Sequence, residues 1–436
     1  MEGPVTIGIK ARFPRLAAFC LGIACLTAWH ASAPLQADTA PSEARYATID
    51  QHALNVPKSA EQSIESLAAY LTAPAKNERE KARAIFCWLA HNITYDTTKP
   101  AVQSASRPSA NTVLKGRIAV CFGYAGLFAE LARAAGLEVM EINGHAKGYG
   151  YGVGARFDGP PNHAWSAVKM DGQWRLLDCT WGAGHMNEQD QYVRQYDDHY
   201  FATPASEFIY DHFPSDPKWQ LLEKPISKDE YEGLPLVRPP LFKNELKLGS
   251  HSQALIRTRE PIVVSLTSPV DSVLLARLFD KGRKLPKSYT LAQREDGVYK
   301  VYASFPRAGS YVLSVYAKRR GDPGECEWAV DYSIEAESGT EGAAGYPECL
   351  AGFSEHGARL YSPMSANLQP GTEAGFKLDV PGAKEVAVVV GSEWRLLTRD
   401  QGCFSGEVSI RAEPVKVCAR FGETRVFEVL LEYVTK

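Results

Sequence analysis

The sequence has no strong excess of charge of either sign. Its 48 Lys and Arg residues nearly balance its 51 Asp and Glu residues, giving a formal net charge of −3 at pH 7. The isoelectric point is near 6.4. Nucleic-acid-binding domains usually carry a basic face, so this composition disfavours a nucleic acid as partner.

Long apolar runs are absent after the first 40 residues, so no transmembrane segment is expected beyond the N-terminus. The histidines show neither an HExxH motif nor the paired Cys and His spacing of a zinc site, and no metal is predicted. The alternate glycines at 148–154 resemble a nucleotide-binding loop, but a Pro-Pro pair follows where a helix would have to begin. No cofactor is predicted, and Lys147 and Tyr149 of this loop are expected to be solvated.

The first 37 residues have the layout of a secretory signal peptide. Basic residues precede an apolar run from Leu16 to Trp29, and small residues follow it, with cleavage expected after Ala37. An uncleaved membrane anchor is the alternative, which the shortness of the apolar run disfavours. The protein is therefore predicted to be exported to the periplasm, the cell envelope or the medium, and residues 38–60 are predicted to form an N-terminal arm.

Export determines the redox environment of the cysteines, because disulfides persist outside the cytosol. The predicted mature chain keeps an odd number of them: Cys87, Cys121, Cys179, Cys326, Cys349, Cys403 and Cys418. At least one thiol is then free or paired with another molecule.

The chain has enough length and apolar material for several domains. Its 436 residues, of which 45% are hydrophobic, suffice for about two to four domains. From about residue 236 the pattern changes to short alternating runs that are typical of β-structure. An internal repeat lies in this half: residues 261–282 resemble 373–394, and residues 296–318 resemble 401–422. Each unit has the size of an immunoglobulin-like sandwich, so two tandem sandwiches are predicted.

Apolar spacing predicts helices in the first half of the chain. One covers residues 63–71, a second covers 78–92 and a third runs from Cys121 to Ala135. A strand at 138–142 and a Gly-rich loop at 144–161 follow. The third helix places a cysteine at its first position.

A β-hairpin is indicated by alternating segments on both sides of Asp171-Gly172, a two-residue turn signal. The register that this turn sets places Asp178 across from Trp165. It also places His163 across from Thr180. His163 and Asp178 are then diagonal neighbours on one face, with Cβ atoms about 7 Å apart, whereas a one-residue slip would separate them onto opposite faces.

Cys121, His163 and Asp178 form a candidate catalytic triad. A cysteine attacks as the thiolate and needs help near neutral pH, because its free pKa is about 8.5. The N-terminus of a helix favours a thiolate, and its N–H groups can hold an oxyanion. His163 is the candidate base, and Asp178 is the carboxylate that orients it.

Each of these residues alone has a simpler structural explanation. A lone cysteine on a helix is more often a buried apolar residue or half of a disulfide, a lone histidine in a strand is more often structural, and Asp178 could cap a turn. The catalytic hypothesis depends on the conjunction of a helix-opening cysteine with a His–Asp pair on one face of a hairpin.

Three segments resemble the transglutaminase-like core domain, and within it most of all the kyphoscoliosis peptidase family: EKARAIFCWLAHNITYD from Glu80, VCFGYAGLFAELARAAGLE from Val120 and NHAWSAVKMDGQWRLLDCTWGAG from Asn162. The resemblance covers roughly residues 60–436. It implies an α+β papain-like or transglutaminase-like catalytic core at 61–235, followed by two all-β immunoglobulin-like sandwiches at 236–337 and 338–436.

The resemblance also implies roles for the triad, with Cys121 as nucleophile, His163 as base and Asp178 as orienting residue. Some relatives of the family have lost catalytic residues and act as scaffolds, whereas this sequence keeps all three. One departure is Cys179, which stands where a non-thiol residue is expected. Cys87 and Cys179 are candidates for a disulfide that would leave Cys121 free.

Two tryptophans, Trp165 and Trp181, resemble family core residues and are expected to pack beside the site. The predicted activity is thiol-dependent acyl transfer, most simply by a cysteine peptidase or amidase that acts on protein or peptide amides. A protein cross-linking transglutaminase is one alternative. A non-catalytic binding or scaffold protein is another, and in either case the β-sandwich domains are candidate surfaces for a protein partner.

Overall fold

The computed structural model describes residues 42–98, 108–187, 189–339, 345–423 and 425–436. The predicted signal peptide, residues 1–37, lies outside the described residues. From Tyr46 to Lys436 the chain forms one compact unit. Among the residues described, no helix combines the length and apolar character needed to cross a membrane.

Helices dominate the first third of the chain and recur as short segments later. Their bounds are α1 Ser42–Leu54, α2 Ile64–Thr72, α3 Glu78–Asn92, α4 Ala110–Gly116, α5 Cys121–Ala134, α6 Cys179–Ala183, α7 Ala205–Phe208, α8 Lys228–Gly233, α9 Pro239–Lys243 and α10 Ala351–Glu355. Short 3₁₀ helices lie at Ala60–Gln62, Asp198–Tyr200, Pro217–Gln220 and Lys287–Tyr289. The three helices predicted from apolar spacing correspond to α2, α3 and α5.

The first part of the chain differs from the predicted arm. Part of this segment forms α1, whose Tyr46, Ile49 and Ala53 are buried in the same apolar core as α2, α3 and α5. Asp50 on α1 also forms an ion pair with Arg83 of α3, at 2.7 Å between Nη2 and Oδ2. The apolar positions of α1 are spaced three and four residues apart, but its weak overall amphipathicity hid them in the sequence.

The core sheet is antiparallel and lies against α5. The strands of the first half are β1 Thr94–Tyr95, β2 Ile118–Ala119, β3 Val139–Ala146, β4 His163–Met170, β5 Gln173–Leu177, β6 Gly184–Met186, β7 Tyr192–Arg194 and β8 His212–Pro214. The sheet order is β5-β4-β3-β8, with β1-β2 and β6-β7 as separate pairs. Strand β8 was not predicted.

The predicted hairpin register between β4 and β5 is confirmed. Met170 pairs with Gln173, and the turn residues Asp171 and Gly172 have φ values of 52° and 74°, as a type I′ turn requires. The ladder ends at the pair formed by Ser166 and Leu177.

The two pairs predicted beyond that point are wrong. Asp178 does not pair with Trp165, and Thr180 does not pair with His163, because the chain leaves the sheet at Asp178. There the carboxylate caps α6 by accepting a hydrogen bond from the Thr180 N–H at 2.7 Å. An Asp at the N-cap competes with strand continuation in this way.

The second half forms two sandwiches with the same topology. The strands of the first are β9 Leu236–Val237, β10 Lys247–Leu248, β11 Leu255–Thr258, β12 Ile262–Thr267, β13 Ser272–Asp280, β14 Arg283–Lys284, β15 Thr290–Glu295, β16 Val298–Ala303, β17 Gly309–Arg319 and β18 Glu327–Ala336. Its sheets have the orders β10-β12-β16-β15 and β11-β18-β17-β13-β14, with β9 beside β18.

The second sandwich repeats this arrangement. Its strands are β19 Glu348–Cys349, β20 Arg359–Ser362, β21 Asn367–Leu368, β22 Glu373–Asp379, β23 Ala383–Val390, β24 Glu393–Leu396, β25 Thr398–Asp400, β26 Cys403–Ser409, β27 Val415–Phe421 and β28 Phe427–Thr435. The sheet orders are β20-β22-β26-β25 and β19-β28-β27-β23-β24. The internal repeat found in the sequence therefore matches β12-β13 with β22-β23, and β16-β17 with β26-β27.

The predicted disulfide between Cys87 and Cys179 is not formed. Every cysteine in the described part of the chain is a free thiol. The Sγ atom of Cys87 instead lies 3.7 Å from Nδ1 of His91, one helical turn further along α3. Cys179 is the first residue of α6 and is buried.

Candidate active site

Cys121 is the first residue of α5, as the sequence predicts. The N-cap residue, Val120, has extended backbone angles and provides no side-chain cap, so no cap side chain competes for the N–H groups of the first turn. The thiol is fully buried and packs against Ala125 and Ala164. Cys121 therefore lies where the helix dipole favours an anion and where little water can stabilise it otherwise.

His163 is the first residue of β4 and lies between the other two predicted residues. Its Nε2 hydrogen-bonds with Oδ2 of Asp178 at 2.7 Å, and the ring also interacts with the side chain of Cys121. Because Nε2 is engaged by the carboxylate, Nδ1 is the nitrogen available to the thiol. The structure thus brings the three predicted site residues together.

The pKa values of this pair reflect their mutual attraction. Burial lowers the pKa of His163, but the carboxylate of Asp178 and the nearby Cys121 outweigh burial and raise it to about 10. Burial raises the pKa of Asp178, while His163 and His212 outweigh that effect and leave it below its usual range. The arrangement favours an imidazolium held by a carboxylate.

A second histidine, His212, was missed in the sequence. It lies on β8, and its Nε2 is 3.2 Å from the same Oδ2 of Asp178. Its Nδ1 is 2.6 Å from Oδ1 of Asp211. Each ring nitrogen of His212 therefore faces a carboxylate oxygen.

Small residues on β3 allow the two histidines to approach one another. Gly144 pairs with His163 on one side, and Ala146 pairs with His212 on the other. A Cβ atom at Gly144 would lie 2.1 Å from the carbonyl oxygen of Phe213 and 2.5 Å from the Trp165 ring. Glycine at this position is therefore required for β8 to pack closely enough to place His212.

Two histidines and an aspartate are also a donor set of the kind that binds zinc. The ligand atoms of His163, Asp178 and His212 lie within 4.8 Å of one another. Nε2 of His163 and Nε2 of His212 already hydrogen-bond to Oδ2 of Asp178, at 2.7 and 3.2 Å. The absence of a metal stays a prediction.

The site opens into a cleft of about 1170 Å³ that extends from the core onto the first sandwich. Residues along it include Tyr95, His163, Trp181, Arg238 and Trp328. His163 lines this cleft, whereas Cys121 has no solvent exposure.

Two expectations about neighbouring residues need correction. Trp181 does more than pack: it lines the cleft, with its ring centroid 5.3 Å from that of His163.

Lys147, in the Gly-rich loop, is not solvated. It is fully buried and donates a hydrogen bond to the carbonyl of Leu234 at 2.8 Å, and burial lowers its pKa to about 7. Tyr149 is exposed, as expected, and its hydroxyl contacts Asp190. The loop thus turns one side chain inward and the other outward.

Comparison with known proteins agrees with this architecture. Residues 65–179 match the transglutaminase-like superfamily. Residues 228–347 match the KY-like, immunoglobulin-like domain. The chain carries a transglutaminase-like domain followed by a KY-like immunoglobulin-like domain. The predicted resemblance and fold class are therefore confirmed.

Among curated proteins, human kyphoscoliosis peptidase is 31% identical over 281 residues, which are 64% of this chain and 41% of that protein. The Lim and transglutaminase domain protein ltd-1 of Caenorhabditis elegans is 29% identical over 340 residues, 70% of this chain and 46% of that protein. The chain thus spans less than half the length of these relatives. A solved structure of a TGase is 22% identical, with a TM-score of 0.22, and the match covers 39% of this chain and 40% of that one.

Proposed function

We propose that this transglutaminase-like protein is a thiol enzyme that transfers acyl groups, most simply a cysteine peptidase or amidase acting on protein or peptide amides. The observation that carries the proposal is the contact network of the buried site. Cys121 begins a helix, His163 interacts with it, and Asp178 holds His163 at 2.7 Å. This is the order of nucleophile, base and orienting carboxylate that thiol catalysis needs.

In the proposed reaction the thiolate of Cys121 attacks the carbonyl carbon of the amide and forms a C–S bond. The oxyanion that develops is stabilised by backbone N–H groups at the start of α5. The imidazolium of His163 donates its proton to the leaving nitrogen as the C–N bond breaks, which releases an amine and leaves a thioester.

The thioester is resolved by a second nucleophile. Water attacks the thioester carbonyl while His163 accepts one of its protons. The C–S bond then breaks, a carboxylic acid is released, and the thiolate of Cys121 and the imidazolium of His163 are regenerated. An amine in place of water would give a cross-link between two chains. Asp178 keeps His163 oriented through both steps and stabilises its positive charge.

The test is turnover of peptide and glutamine-donor substrates by the wild type and by Cys121→Ala. We expect the substitution to lower activity by at least about three orders of magnitude. Release of amine without amine incorporation supports hydrolysis, whereas incorporation supports cross-linking. Equal activity in both proteins would contradict the proposal.

A thiol-labelling experiment separates an enzyme from a scaffold that has the same fold. Near pH 6–7 we expect iodoacetamide to alkylate Cys121 faster than a model thiol. Cys326 is an internal control, because it is partly exposed and burial raises its pKa to about 11. Labelling of Cys121 no faster than that of Cys326 would favour a binding role.

We also propose that the protein is exported, on the strength of its N-terminal sequence. N-terminal sequencing of the mature protein after expression with the native leader is expected to begin at Asp38. A chain that retains residues 1–37 in the cytosol would contradict export.

A further inference from the structure

Arg238 lies at the boundary between the transglutaminase-like core and the first sandwich. It connects β9 to α9, and its guanidinium lines the active-site cleft. The Cζ atom lies 4.6 Å from the ring centroid of Trp328, on the sandwich, and 5.9 Å from that of Trp181, in the core. Two aromatic rings from two domains therefore position one cation.

This cation forms no ion pair with any residue that the structure describes, although Asp331 lies near enough to feel its charge. Among the residues that the structure describes, no carboxylate lies within ion-pair distance of Arg238. The nearby Asp331 instead accepts a hydrogen bond from Nε1 of Trp328 at 2.7 Å. The neighbouring cation in the cleft, Lys243, differs, because it is paired with Asp197 at 3.0 Å.

Contacts with aromatic rings leave hydrogen-bonding capacity at an arginine. A guanidinium has five N–H donors in its plane, and contact of its face with a ring does not use them. A carboxylate fits two of these donors at once. Since Arg238 has aromatic neighbours but no carboxylate at ion-pair distance among the described residues, its side chain is arranged to bind a carboxylate from a substrate.

The guanidinium of Arg238 is also close enough to His163 for one short peptide to contact both. Trp181 links them, since its ring centroid lies 5.3 Å from that of His163 and 5.9 Å from Cζ of Arg238. Arg238 is therefore no farther from His163 than about three residues of extended peptide, at roughly 3.3–3.6 Å per residue.

We propose that Arg238 determines specificity by binding a substrate carboxylate, so that the preferred substrates are anionic peptides. The carboxylate lies within about three residues of the amide that Cys121 attacks. It belongs either to an acidic side chain or to a free C-terminus. This inference rests on the proposed acyl-transfer function and adds the chemical class of its substrate.

Of the acidic residues along the cleft, Asp190 contacts Tyr149 and Asp197 is paired with Lys243, which leaves Glu327 to oppose such binding. Glu327 is exposed and lines the same end of the cleft, next to Trp328. Its negative charge repels an incoming carboxylate. Glu327→Gln is therefore expected to strengthen the preference for anionic substrates, the opposite of the effect expected at Arg238.

The first experiment uses chloroacetyl-tripeptides that alkylate Cys121 with loss of chloride. One set carries a single Glu or Gln at each position with an amidated C-terminus, and a second set is trialanine with a free or an amidated C-terminus. In the full-length wild type we expect at least one anionic probe to label Cys121 roughly tenfold to a hundredfold faster than its neutral match. The set that shows the effect identifies the source of the carboxylate.

Variants then assign the preference to its residue. Arg238→Gln is expected to reduce the ratio of anionic to neutral labelling to about one, and Arg238→Lys to keep part of it, because a lysine binds a carboxylate less specifically. Arg257→Gln is the matched control, since Arg257 is an exposed arginine on the same domain that is paired with Glu335. Equal labelling by anionic and neutral probes in the wild type, or an unchanged ratio in folded Arg238→Gln, would overturn the proposal.

A binding experiment distinguishes this proposal from failure of the catalytic one. In the Cys121→Ala variant, calorimetric titration compares the affinity for acetyl-tripeptide acids with the affinity for their amides. If an acid binds more tightly than its amide, and this difference disappears in the Cys121→Ala, Arg238→Gln double variant, the carboxylate site is supported without any reaction taking place. If Cys121 is not labelled at all but this difference is present, the catalytic proposal fails and the carboxylate site stands. If acids and amides bind equally, the carboxylate site is refuted.

Discussion

His212 lies across β3 from His163, with the two ring centroids 5.3 Å apart. Both rings direct Nε2 at the same oxygen of Asp178, at distances of 2.7 and 3.2 Å. The carboxylate that orients His163 is thus held by a donor from a different strand, and its other oxygen is held by the N–H of Thr180. Asp178 has little freedom to rotate, which limits the positions available to His163.

Substitution of His212 tests this positioning role. We expect His212→Phe to lower kcat by roughly tenfold to a hundredfold, a typical effect of losing an outer hydrogen bond to a catalytic group, with KM nearly unchanged. His212→Gln keeps an N–H donor near the position of Nε2 and is expected to recover much of the activity.

The order of these two variants excludes a role in packing alone. His212 contacts Phe208 and Trp165, with ring centroids 4.0 and 5.0 Å away. If its role were only to pack against these rings, His212→Phe would be more active than His212→Gln. A variant with Phe that is as active as the wild type would contradict the positioning role.

Asp178→Asn tests the orienting carboxylate. Asn still caps a helix, so α6 should form, but it lacks the negative charge that raises the pKa of His163. We expect kcat/KM to fall by about three to four orders of magnitude and the pKa of His163, followed by NMR titration, to decrease. Asp171→Asn is the control, because Asn suits the exposed type I′ turn, and it should retain activity.

The raised pKa of His163 predicts how stability depends on pH. A group whose pKa is higher in the folded than in the unfolded state stabilises the fold at low pH. For His163 the contribution is complete below its ordinary pKa of 6.5 and is lost as pH rises to about 10. Asp178 acts at the opposite end, since its lowered pKa gives a contribution that is lost on acidification below 3.8.

Urea unfolding at pH 7 and pH 10 measures the histidine contribution. We expect the free energy of unfolding to fall more between these pH values in the wild type than in His163→Gln, because other groups titrate equally in both proteins. Equal losses would show that His163 is not charged in the folded protein at pH 7.

Gly144→Ala tests the close packing of β8 on β3. An added Cβ would meet the carbonyl oxygen of Phe213 at 2.1 Å, so strands must separate. We expect destabilisation of about 1–3 kcal/mol or more and a loss of activity, because His212 moves with β8. Gly152→Ala has no atom within 4 Å of its added Cβ and should leave both properties nearly unchanged.

Local sequence signals predicted the part of the site that a single helix and hairpin determine. The helix that begins at Cys121 and the turn at Asp171-Gly172 follow from apolar spacing and turn chemistry, which act over a few residues. The same reasoning extended β5 too far, because it did not weigh the tendency of Asp178 to cap a helix. Local pattern therefore predicted that Cys121 and Asp178 lie near His163, but it did not predict where the backbone leaves β5.

The remainder of the site depends on contacts between distant segments. His212 belongs to a three-residue strand whose partner on β3 is far away in sequence, and so short a strand has no periodicity to detect. Arg238 meets Trp328 because β9 pairs with β18, about 90 residues further along the chain, and it meets Trp181 because the sandwich packs against the core. Neither contact has a local signature, so both require the folded chain.

The cleft has walls from two domains, with Trp181 on the core and Trp328 on the sandwich, while the reacting groups all lie on the core. Under the proposed function, recombination that exchanges the sandwich among relatives would alter substrate choice and leave the proposed triad intact. Selectivity in such a molecule can evolve by domain shuffling as well as by point substitution.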